Sequence, residues 1–279
     1  METAVFMATL YSGAQHTARR AGFVALTGLA LVLTSLALPA APPAKKPADI
    51  PMPTLSVKFA DAAQIKLINA RKKFQADTNS IPAAWALGQA CFWRGEFAAN
   101  DEDRNALANE GISVCRDLII RAPTVPEGHY YLAMNLGQLA RTKWLEALNI
   151  VKDIERGMKL AAAMQPSLDH AGPDRCLGLL YRDAPGWPIS IGSKSKARAH
   201  LLRAVELAPE LPENHLVLIE TWVMWKDKKV LQRDLAALAE LLPKARKQLT
   251  GADWAAYWDD WDRRWKEVQA RSAELLKKK

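Results

Sequence analysis

Five histidines and three cysteines have the most scope for catalysis or metal binding in this chain. His16, His129, His170, His200 and His215 contain no His-Glu-x-x-His run, the spacing that sets two zinc ligands on one helical face. Asp169-His170 falls where one helix gives way to the next, and reads as a cap rather than a catalytic dyad. Cys91, Cys115 and Cys176 lack Cys-x-x-Cys spacing. They read as buried, inert thiols, with a Cys91–Cys115 disulfide open to the chain in an oxidising compartment. A Gly-x-Ser-x-Gly elbow, a phosphate-binding glycine loop and a dinucleotide fingerprint are all missing. The reading is therefore non-enzymatic, with no catalytic residue, no metal and no cofactor expected.

The bulk properties narrow the class. The chain has 279 residues, 49% apolar and 24% charged, with ten tryptophans, which is too apolar for disorder along its length. Three cysteines cannot staple a small secreted scaffold. The net charge of +8 is mixed in sign and gives no argument for a nucleic-acid partner.

The first segment reads as an address. Arg19-Arg20 precedes an uncharged stretch from Ala21 to Ala44, nearly all apolar from Phe23 to Leu38. A positive start, an apolar middle and small residues at Ala40-Ala41 are the parts of a secretory signal. Residues 1–41 are expected to be such a signal, giving a periplasmic or secreted protein, or else an uncleaved inner-membrane anchor. Six prolines between 39 and 53 make residues 42–58 an extended spacer. Membrane contact is expected only through this N-terminal part.

From Asp61 onward apolar residues recur at three and four, as in Leu231, Leu235, Leu238 and Leu242, so the body is predicted all-α. Glycine and proline are read as falling between the periodic segments. Ala122-Pro123-Thr-Val-Pro126-Glu127-Gly-His129 returns 86 residues later as Ala208-Pro209-Glu-Leu-Pro212-Glu213-Asn-His215. Pro166 lies 43 from Pro123 and 43 from Pro209. Each proline is expected to stop a helix and open the next pair. Within the pairs, Leu87-Gly88-x-x-Cys91, Leu132-Ala133-x-x-Leu136, Leu177-Gly178-x-x-Tyr181 and Leu218-Ile219-x-x-Trp222 put a small or medium residue where two helices must touch.

Leu-Gly-x-x-Tyr followed by Ala-x-x-x-Leu-x-x-Ala-x-x-x-x-Pro resembles the tetratricopeptide repeat, over about residues 80–245. The family's unit is about 34 residues, so each 43-residue unit here carries an insertion. One insertion, 141–156, reads as extra helix (Trp144, Leu145, Leu148, Ile150, Val151). The other is the loop 183–195 around Trp187. Together with the leader and the Pro/Gly loop, the long units resemble two groups, the regulator of microtubule dynamics group and the exported T component of tripartite ATP-independent periplasmic (TRAP) transporters, the latter fitting a periplasmic address better. That resemblance implies an antiparallel helix-pair solenoid, a right-handed superhelix, over residues 59–249. It also implies an adaptor role with a protein partner, such as a periplasmic solute-binding subunit.

In such a solenoid the first helix of each pair lines a concave groove. Its expected lining is Trp85, Gln89, Phe92, Tyr130, Met134, Arg175, Leu179, Arg182, Leu216 and Glu220, a set suited to a peptide or a small apolar ligand. The Trp187 loop either lies over that groove or is a rigid packing loop pinned by its prolines. Residues 250–279 are read as a capping helix, with Trp254, Trp258, Trp261 and Trp265 on one stripe and Asp259, Asp260, Arg263, Arg264 and Lys266 on the polar face. The rival functions are an adaptor, a small-molecule or lipid binder, and a membrane-tethered envelope protein. Homo-oligomerisation is left open.

Overall fold

The computed structural model describes residues 59–142 and 147–277. The leader, the spacer, Trp144, Leu145, Lys278 and Lys279 lie outside the described residues. Among the described residues ten helices run in order: α1 Ala60–Ala76, α2 Ile81–Glu96, α3 Asp101–Arg121, α4 Pro126–Thr142, α5 Ala147–Met164, α6 Gly172–Asp183, α7 Lys194–Leu207, α8 Pro212–Trp225, α9 Lys228–Gln248 and α10 Ala252–Lys277. Among the described residues there is no strand, and the fold is all-α.

The boundaries follow local chemistry. Helices α3, α5 and α7 end at Arg121, Met164 and Leu207, each two residues before Pro123, Pro166 and Pro209. A proline excludes the α conformation from the residue before it and lacks the donor for another turn. Helix starts carry side-chain caps: the Asn100 carboxamide oxygen accepts from the Asp103 backbone N–H at 2.8 Å, and Ser80 accepts from Ala83 at 3.3 Å. Prolines stand in the first turn of α2, α6 and α8, where a missing N–H costs nothing. The 147–156 part of the expected extra helix is the first half of α5, with Val151 buried.

Glycines do not keep to the gaps between helices. Gly88, Gly111, Gly157 and Gly178 lie within helices, at crossings. A side chain on Gly88 would overlap Cys115 on α3, one on Gly178 would meet Leu201 on α7 at 2.5 Å, and one on Gly157 would sit 3.1 Å from Ala133 on α4. These contacts occur in three successive pairs at the small-residue position of the repeat. Pro243 likewise lies inside α9.

Each helix packs on the next, and α2 also meets α4, α6 meets α8 and α8 meets α10. A buried Arg141–Glu96 pair at 3.0 Å joins α4 to α2. The main apolar cluster runs from Leu67 to Val268, and a small second one gathers Ala171, Ala204 and Ala208.

The two equivalent histidines do one structural job twice. His129 bonds the Pro123 carbonyl and His215 the Pro209 carbonyl, both through Nε2 at 2.8 Å, tying each first helix to the end of the helix before it. Burial pushes the His215 pKa down, and the Pro209 hydrogen bond only partly offsets this. The unfolded chain therefore takes up a proton that the folded chain resists. His215 contributes its full stability above its ordinary pKa of about 6.5, and that share is lost as pH falls below it. The melting temperature of the wild type should drop more steeply from about pH 7.5 to about pH 5.5 than that of His215→Phe. Identical slopes would refute the assignment.

Candidate functional site

The turn between α5 and α6 holds three consecutive non-glycine residues in the left-handed region: Asp169 (φ 47°), His170 (φ 51°) and Ala171 (φ 62°). Such a run is unfavourable unless its surroundings enforce it. Here they do. Arg175, fully buried, donates to the His170 carbonyl at 3.1 Å, to Asn214 Oδ1 at 2.8 Å and to the Asp169 carboxylate at 3.3 Å. Asn214 Nδ2 donates to the same His170 carbonyl at 3.2 Å and to the Ala204 and Ala208 carbonyls at the end of α7. The Tyr130 hydroxyl donates to Asp169 Oδ2 at 2.7 Å. Gly172 leaves room for this, since a Cβ there would lie 2.5 Å from the Tyr130 oxygen.

Charge is fixed along with shape. Burial pushes the Tyr130 phenol pKa well above its ordinary value, and the neighbouring Asp169 charge adds to the shift. The phenol therefore acts as a permanent donor. Burial works against the Arg175 charge, but Asp169 and its neighbours outweigh it and raise the pKa.

This rigid turn forms one wall of a cavity of about 550 Å³. The other walls are α1 (Lys66, Asn69, Ala70, Lys73), α2 (Ala86, Gln89, Ala90, Trp93) and the start of α10 (Asp253, Trp254, Tyr257). Trp93 meets Tyr257 edge-on at 5.1 Å, Trp254 lies 5.5 Å from Tyr257, and His170 is set edge-on to Trp254 at 6.0 Å. An exposed Lys66–Asp253 pair at 2.7 Å spans the rim from α1 to α10. His170 Nδ1 faces Glu210 at 3.2 Å. Among the described residues the lining contains no serine, threonine or cysteine. The Asp169 carboxylate is engaged by Tyr130 and Arg175 rather than aimed at a proton to remove. Three aromatic rings between groups of both signs can hold an amphipathic ligand or side chain. The same set offers no assembled nucleophile and base.

The expected groove residues are placed differently. Phe92, Tyr130, Met134, Arg175, Leu179 and Leu216 are fully buried. Met134 Sδ lies 3.7 Å from Cys176 Sγ on α6, and Arg175 reaches Asn214 on α8. That face is used where one first helix packs on the next, so it lines no open surface. Arg182 is buried against Asp183 and Thr221, and Glu220 pairs with Arg264 of α10. Trp85 stacks on Tyr131 with centroids 6.1 Å apart, and only Gln89 of the ten faces the cavity. Trp187 is 89% exposed and covers no groove. Asp260 and Arg264, assigned above to the polar face of the last helix, are buried: α8 presents Glu213 and Glu220 to Arg264, and Asp260 accepts from Arg264 on its own helix.

Trp93, Trp254, Tyr257 and Lys66 were absent from the expected set. They come from opposite ends of the chain, which no repeat pattern connects. A weak signal existed at Asp169-His170, since Asp and His are among the residue types that tolerate the left-handed region. The three cysteines are free and buried. Burial raises the Cys115 pKa to about 12 and raises that of Cys91 further, with Glu110 adding to the latter. Such thiols are poor nucleophiles. No group of three or more potential ligand residues that could hold a metal occurs among the described residues.

No family model matches the chain, and no curated protein does.

Proposed function

We propose that this chain is a non-catalytic binding module of tetratricopeptide type, a helix-pair solenoid ended by a Trp-rich helix, whose recognition site is the cavity between α1, α2, the Asp169–Ala171 turn and α10. The observation that carries this reading is the convergence of Trp93, Trp254 and Tyr257 with Lys66, Lys73 and Asp169 around one 550 Å³ space. Sequential packing of helices, the recurring small residue at each crossing and the twin His129 and His215 pins support the solenoid. On this reading the occupant is an apolar or aromatic side chain of a protein partner, flanked by charged side chains of that partner. The leader and the long repeats support an exported protein that assists a periplasmic solute-transport system, with the solute-binding subunit as partner.

A small ligand is the second reading, because the volume lies within the usual range for small-molecule sites, about 300–1,000 Å³.

Trp93→Ala combined with Tyr257→Ala tests both. Each residue is only partly buried, so the fold should survive. Affinity capture from periplasmic extract should recover the partner with the wild type and at least tenfold less with the variant, about the loss of one interface anchor. Equal recovery of every captured protein would count against the cavity as a protein site. Native mass spectrometry showing only bare wild-type protein would remove the small ligand.

A further inference from the structure

Helix α1 keeps two large apolar side chains in water. It buries Ala63, Leu67 and Ala70 and packs on α2. On its other side Ile65 is 59% exposed and Ile68 40%. At about 3.6 residues per turn these two share one stripe with Asp61 and Lys72, turned away from Ala63, Leu67 and Ala70. Asp61 and Lys72 are exposed, and neither side chain has a partner among the described residues. By contrast, Gln64 is committed to Arg94 at 2.7 Å, Lys66 to Asp253 at 2.7 Å and Arg71 to Glu110 at 2.6 Å. Isoleucines on the outer face of a terminal helix are a cost in water unless something covers them.

The order of the stripe identifies the cover. It reads acid, isoleucine, isoleucine, base at positions 61, 65, 68 and 72. Turned end for end about the midpoint between Lys66 and Leu67, it meets itself: position 61 falls opposite 72, and 65 opposite 68. Two copies of α1 laid antiparallel therefore set Asp61 of each against Lys72 of the other, with the isoleucines between. The same arrangement brings the N-terminus of one helix beside the C-terminus of its mate, so the helix dipoles attract as well. A parallel pairing would oppose like charges at both ends. An unrelated partner gives no reason for the stripe to be its own complement.

We infer that α1 pairs antiparallel with α1 of a second copy of this chain, through Ile65 and Ile68, with an Asp61–Lys72 ion pair at each end. Such an interface is isologous, so each contact occurs twice about a two-fold axis. One helix pair is smaller than a standard stable interface, and the dimer is therefore weak and exchanges readily. The cavity takes Lys66 and Lys73 from another side of the same helix, so the pairing does not depend on it.

Unlabelled and heavy-isotope-labelled full-length protein are mixed and treated with a zero-length carbodiimide, which joins a carboxylate directly to an amine. The products are mapped by mass spectrometry. Within one α1 the two groups stand about 16 Å apart along the axis, too far for that bond. A light–heavy product joining Asp61 to Lys72 is expected. Ile65→Ser with Ile68→Ser should cut its yield at least tenfold, roughly the loss of the apolar area between the helices. Asp61→Lys and Lys72→Asp should each raise the dimer dissociation constant about tenfold in sedimentation, and an equimolar mixture of the two should recover wild-type association. All four positions are exposed, so circular dichroism should match the wild type. Absence of the light–heavy product would overturn the proposal, as would an unchanged yield in the isoleucine variant or no recovery in the mixture. Coupling of Asp61 and Lys72 only to other positions would also overturn it and assign the face to a different cover.

Discussion

Arg264→Ala is expected to destabilise the protein by about 3–5 kcal/mol, the cost of removing one side of a buried charge group. Arg264 is buried on α10 and donates to Glu213 at 2.8 and 2.9 Å, to Glu220 at 2.8 and 2.9 Å, and to Asp260 at 3.1 Å. Trp261 adds an indole N–H to Glu213 at 2.7 Å. Burial opposes the Arg264 charge, but these three carboxylates outweigh it and raise its pKa far above the ordinary value. Without the guanidinium, Glu213 and Asp260 would stay buried with their main cation gone. The outcome should be visible twice: a lower urea midpoint with an unchanged slope, and faster proteolysis near Gly251 as α10 loosens. Arg263→Ala is the control. Its guanidinium is 38% exposed, and its loss should cost less than about 1 kcal/mol. Similar midpoints for both variants would show that α10 is held by its tryptophans alone.

The second large effect belongs to the left-handed turn. Arg175→Met keeps much of the apolar stem and removes every donor. The Asp169 carboxylate then loses its buried cation, and the His170 carbonyl keeps only Asn214. A loss of about 3–5 kcal/mol is expected. The double variant Arg175→Met with Asp169→Asn should recover part of it, because the buried charge disappears together with its partner. Strict additivity of the two single changes would show that the pair does not hold the turn. Any binding at the cavity should weaken along with stability, since the turn is one of its walls.

Much of the fold was legible in the sequence because its determinants are local. Pro123, Pro166 and Pro209 marked three helix ends, and the residue after each repeat leucine marked three crossings. The groove was misplaced for a physical reason. Helical periodicity identifies an apolar face but not which neighbour covers it, and Tyr130, Met134, Arg175 and Leu216 lie on the faces where first helices meet. Periodicity also assigns charge to solvent by default. Arg264 broke that rule because Glu213 and Glu220, about fifty residues away, needed it, and Asp260 followed as a further acceptor for Arg264. The cavity was out of reach for a related reason: Trp93 and Tyr257 meet only once the whole chain has folded.

That meeting bears on how the protein comes apart. A row of helix pairs with purely neighbour contacts can fray from either end, each terminal unit opening at a fraction of the global cost. Here Lys66 on the first helix holds Asp253 on the last, and Trp93 holds Tyr257. Opening at either end therefore gives up contacts to the other. Amide hydrogen exchange in α1 and in the first turns of α10 is therefore expected to respond together when Lys66→Ala is combined with Tyr257→Ala, two helices from opposite ends of the described chain sharing one seam.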